Sequence, residues 1–124
     1  MMLFSIGVLY LMNNGLNIKI MKKIKIWADV HSTGIFSEIG AFFLKEQTTI
    51  TDETWQELLA WVDEYDIITT MNDNERENFT DKIISLDFKG LELMHKIEKE
   101  WSNDVETNEE LNFLYYSEGL MKFL

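Results

Sequence analysis

The chain has 124 residues, a net charge of −11, 46% hydrophobic content, no cysteine and no proline. These totals exclude a disulfide framework, a cysteine-based zinc site and thiol chemistry. They also make nucleic acid a poor direct ligand, because affinity for that polyanion comes from Lys and Arg, and they leave one packed domain suited by charge to a basic protein partner or to plain solubility.

The first apolar stretch, LFSIGVLYLM at residues 3–12, is about half as long as the roughly twenty residues a bilayer span needs. No Lys or Arg precedes it, and Asn13-Asn14-Gly15 follows in place of a small-residue cleavage site, so the secretory pattern is incomplete. Three readings stand: an edge strand, a poor signal, or residues that are not part of the natural protein. The last is favoured, because Met21 opens MKKIKIWADV, a compact domain starting directly on a strand. The expected organisation is therefore an N-terminal extension over 1–20 and a single domain over 21–124.

From Lys22 to Val30 the side chains alternate. Ile24, Ile26, Ala28 and Val30 fall on one face, and Lys23, Lys25, Trp27 and Asp29 on the other, the period of a half-buried strand. His31-Ser32-Thr33-Gly34 is turn chemistry, with Gly34 free to adopt positive φ. Ile35–Ile39 then predicts a second short strand and a hairpin.

Residues 51–66, TDETWQELLAWVDEYD, carry the clearest amphipathic helix. Thr51 is a good N-cap, and Asp52 and Glu53 lie in the first turn, where the helix dipole favours anions. Trp55, Leu58, Leu59 and Val62 share a stripe with Tyr65 at its margin, and Trp61 sits at the border beside Glu57 and Glu64. Thr69–Asn78 predicts a polar loop. A second helix is expected within Asn74–Trp101, where Phe79, Ile83, Leu86, Gly90, Leu93, Ile97 and Trp101 recur every three or four residues. Phe88 lies off that stripe, and Ser85 or Asp87 could cap a shorter helix, so a break is allowed there. Gly90 on the apolar stripe predicts close approach to the sheet or to the first helix. Leu111–Tyr116 is apolar on both faces and predicts a third, central strand. Gly119 releases a short tail. The expected fold class is α+β: a small three-stranded sheet in the order β-β-α-α-β with two helices packed on one face.

Chemistry-bearing patterns are sparse. Asp29-x-His31 places two ligand types on one side of a strand end, but a metal site needs further ligands and the only other histidine is His95. Paired carboxylates are too abundant to single out an acid/base dyad. No glycine-rich phosphate loop or nucleophile motif is present. No cofactor, metal or catalytic residue is expected; an enzyme using Asp29, His31 and a carboxylate is the alternative.

The charge distribution is more informative. Eleven acidic residues lie between Glu46 and Asp81, opposed only by Arg76. Asp63, Glu64 and Asp66 crowd the C-terminal end of the first helix, where the dipole disfavours anions by about 0.3–1 kcal/mol each. A basic partner would explain that placement. Trp61 between Glu57 and Glu64 would supply an aromatic anchor inside a charged rim. The expected partner-binding residues are Glu57, Trp61, Asp63, Glu64 and Asp66; the alternative is a solvated acidic face.

Four segments, KIKIWADVHSTGIF, LLAWVDEYD, FKGLEL and LYYSE, together resemble small acidic bacterial proteins of the polymorphic-toxin immunity type. The similarity covers most of residues 22–118 and departs in the acidic insert Ile67–Asn78 and the extra N-terminus. It implies a cytoplasmic, non-catalytic protein that masks a toxin. A phage-encoded nucleic-acid mimic is a related alternative.

Overall fold

The computed structural model describes residues 21–124, so the readings of residues 1–20 lie outside the described residues. The fold is α+β. The elements run β1 (Met21–Trp27), β2 (Ile35–Ser37), a 3-10 turn (Lys45–Gln47), α1 (Asp52–Thr69), α2 (Asp73–Glu77), α3 (Thr80–Glu100), β3 (Glu110–Ser117) and β4 (Lys122–Phe123). The sheet order is β2-β1-β3-β4. β1 pairs antiparallel with β2 and parallel with β3, and β4 closes antiparallel on β3.

The sheet is central where alternation predicts it. Ile24 and Ile26 on β1, and Leu111, Phe113 and Tyr115 on β3, are buried, because α1 and α3 cover that face. The opposite face carries a row of rings. Phe42, Phe36, Trp27, Tyr116 and Phe123 follow one another across the sheet at centroid separations of 4.9–6.3 Å, mostly edge to face, as ring quadrupoles prefer. The Lys25 ammonium caps Trp27 at 4.6 Å. At the β1–β2 turn Gly34 has φ +90°, and a Cβ there would sit 2.8 Å from Val62 Cγ2. One glycine thus serves both the turn and the helix packed above it.

The first strand ends at Trp27 and the second at Ser37, short of the expected Val30 and Ile39, and the structure departs from the expected β-β-α-α-β layout in four further places. A fourth strand of two residues forms where a free tail was expected, too short to leave a period. The expected polar loop Thr69–Asn78 contains α2, whose Asn72 side chain accepts from the Glu75 amide while Glu75 accepts from the Asn72 amide. The first helix continues to Thr69. The break allowed near Phe88 does not occur: α3 is one helix of 21 residues, because Asp87 turns inward into a polar network instead of capping an N-terminus. Among the described residues no helix is long and apolar enough to cross a membrane.

Gly90 explains how two helices and the sheet meet. A Cβ there would lie 2.5 Å from Trp61 Cζ2 and 2.5 Å from Tyr115 Cε1, so the approach is to the first helix and the sheet together. Trp61 and Tyr115 fill the space that the missing side chain leaves.

Candidate partner-binding surface

Trp61 corrects the expected site. It is 0% exposed, and its Nε1 donates to the Leu86 carbonyl at 2.9 Å. The buried face of α1 is rotated away from Leu59, which is only partly buried, toward Trp61 and Tyr65. α3 packs on that flank, so the border position of a lone helix becomes core. Trp61 therefore offers nothing to a partner's surface.

The expected acidic row is also partly neutralised. Lys82, Lys89 and Lys96 recur every seven residues along α3, facing Glu57 and Glu64 on α1. Lys96 Nζ donates to Glu57 at 2.9 Å; Lys89 and Lys82 donate to Glu64 at 2.9 and 3.5 Å. The hydrogen bond from Lys89 holds the Glu64 carboxyl below its ordinary range, and the bond to Glu57 raises Lys96. Lys45 meets Asp52 at 2.8 Å. Glu64 at the C-terminal end of α1 thus has a local reason to be acidic. Asp66 is half-buried, with no hydrogen bond to its buried Oδ1.

A different acidic set remains open. Asp63, Asp73, Glu77 and Asp81 are exposed, and among the described residues no ion pair holds them. They run from the end of α1 through α2 to the start of α3. Arg76, the one cation in this stretch, is only 9% exposed. It is spent inward: Nη1 donates to the Glu118 carbonyl, Nη2 to Glu118 Oε2 and the Thr69 carbonyl, and Nε to the Met71 carbonyl. The outer charge of this end is therefore more negative than the residue count suggests.

Asp29 and His31 lie at the turn after β1. His31 is exposed with φ 63°, and the turn is closed by Ser32 Oγ, which donates to the Asp29 carbonyl at 2.6 Å. Asp29 is half-buried; burial, then the charge of Glu118, raises its pKa. Glu118 in turn accepts from Trp27 Nε1 at 2.7 Å. His95 is exposed elsewhere, 3.6 Å from Glu98. Among the described residues no group of three or more His, Cys, Asp or Glu side chains could hold a metal ion.

Pattern reading misses Asp87. It is buried in the core, where Tyr65 and Tyr115 both donate to Oδ1 at 2.8 Å and Ser117 Oγ donates to Oδ2 at 2.7 Å. Burial, together with the neighbouring carboxylate, pushes both tyrosine hydroxyls well above their ordinary pKa. Tyr65 Oη also accepts from the Gly119 amide, so this network ties the last turn of the chain to both long helices. The only sequence signal was a carboxylate beside Leu86 on the inner side of α3.

No family model matches the chain, and neither a curated protein nor a solved structure matches it.

Proposed function

We propose that this protein is a non-catalytic acidic binding protein that neutralises a basic partner, in the manner of an immunity protein masking the cationic surface of a toxin in the cytoplasm. The observation that supports this reading is the uncompensated acidic end formed by Asp63, Asp73, Glu77 and Asp81, two of which, Asp73 and Asp81, lie in the first turn of a helix. The mechanism is electrostatic. Carboxylates on a rigid helical end attract a cationic surface over roughly a Debye length, about 8 Å at physiological salt, and speed encounter more than they deepen affinity. Glu57 and Glu64 are secondary, since binding through them first requires breaking their lysine pairs.

The test is affinity capture from the native host, followed by kinetics on the basic protein retained. Association should slow about tenfold or more between low and physiological salt. The fourfold variant Asp63→Lys, Asp73→Lys, Glu77→Lys and Asp81→Lys should lose most of that rate while keeping a native circular dichroism spectrum. A partner bound at unchanged rate by the fourfold variant, or at a rate indifferent to salt, sinks the reading.

A further inference from the structure

α3 carries a second stripe opposite its core stripe. Asp81, Ile84, Phe88, Glu92 and His95 recur at spacings of three, four, four and three, which places them on one side of the helix. All five are exposed, with Ile84 at 53% and Phe88 at 66%. This is the residue that fell off the apolar period in the sequence, and neither the core nor the aromatic row uses it. Lys82 and Lys89 lie on the α1 side and are engaged by Glu64. Glu77, Asp81 and Glu92 have no ion pair among the described residues. Lys99 closes the stripe about 16 Å along the axis from Phe88.

We infer that this stripe is the docking face for a basic amphipathic helix of the partner, with Ile84 and Phe88 as its apolar anchors. The inference rests on the acidic-binder reading and gives that reading a contact chemistry. Ile84, Phe88 and Glu92 form an i+4 ridge, the unit that packs into the groove of a second helix. An exposed aromatic with carboxylates on both sides disfavours an acidic or purely apolar occupant. It complements a helix whose apolar residues are flanked by Lys or Arg. The aromatic anchor expected at Trp61 is thus supplied by Phe88, one helix away.

The probe is a labelled Lys/Leu peptide of about 18 residues, long enough to form an amphipathic helix, with a scrambled isomer of equal composition as control. Anisotropy titrations use the full chain. The amphipathic peptide should bind the wild type about tenfold more tightly than the isomer. The Ile84→Ala/Phe88→Ala variant should lose about tenfold for the amphipathic peptide only, and Asp81→Asn/Glu92→Gln should weaken both. Phe88→Ser, more soluble still, keeps the test open if the double variant aggregates. Equal binding of both peptides, unchanged by removing the anchors but weakened by neutralising Asp81 and Glu92, overturns the docking face and leaves the acidic-binder reading standing. Binding indifferent to both variant pairs and to salt overturns both. A wild-type dimer in sedimentation that Phe88→Ser dissolves assigns the stripe to a second copy and also overturns the proposal.

Discussion

Asp87 and Phe88 are neighbours in sequence with opposite fates, and the contrast is testable. Replacing Asp87 by Ala leaves three buried hydroxyl donors without their acceptor, each costing about 1 kcal/mol or more. Urea denaturation of Asp87→Ala should show a loss of about 3 kcal/mol, whereas Phe88→Ala should stay within about 0.5 kcal/mol. Gly90→Ala is informative because two effects oppose. Helix propensity favours Ala by about 1 kcal/mol. The new Cβ, however, would sit 2.5 Å from Trp61 and Tyr115, and overpacking costs about 1–3 kcal/mol. Both rings are buried in the core, so the clash should win and the midpoint should fall. A raised midpoint would mean that the two rings can withdraw.

Elements are held together here by charged groups at their ends. The N-terminus of α1 meets the C-terminus of α3, where Glu100 accepts from the Thr51 amide and from Thr54 Oγ1. Burial alone would raise the Glu100 pKa, but these bonds outweigh it and lower it. The turn before β3 is fastened to β1 in the same way. Asp104 accepts from the amides of Glu106 and Thr107 and pairs with Lys22. Burial opposes its ionisation, yet those partners hold its pKa at about 2. A carboxyl depressed in the folded state contributes stability that is present above its unfolded pKa and is lost as pH falls through the folded value. Denaturant midpoints should therefore decline between about pH 4 and pH 2. Asp104→Asn should be less stable at neutral pH and should show a shallower decline over that window. Equal slopes for the two proteins would remove Asp104 as a source of acid sensitivity.

At the scale of the whole molecule, a net charge of −11 should make self-repulsion measurable. Carboxylates outnumber the lysines that face them, so added sodium chloride should raise Tm as screening grows. A falling Tm would show that the lysine pairs on α1 and α3 matter more than the unpaired acids. The molecule also shows how much of its plan a linear reading can carry. Strict alternation in β1, the Thr51 cap and the apolar period of α3 each depend on nearest neighbours in the chain, and each was legible. So was the close approach at Gly90, since a glycine on an apolar stripe has few other uses. β4 and α2 were not, because two and five residues hold too little period to stand out.

The sequence by itself determined the acidity, the α+β class, the central position of β3 and the inward stripe of α3, because these follow from local spacing and residue type. Tertiary structure alone decided which charges and rings face outward. Glu57 and Glu64 are met by lysines 18 to 39 residues later in the chain, Arg76 is drawn inward by Glu118, and Trp61 is covered by α3. Each outcome depends on how one helix lies against another, and that packing brings together residues whose separation in sequence carries no periodic signal.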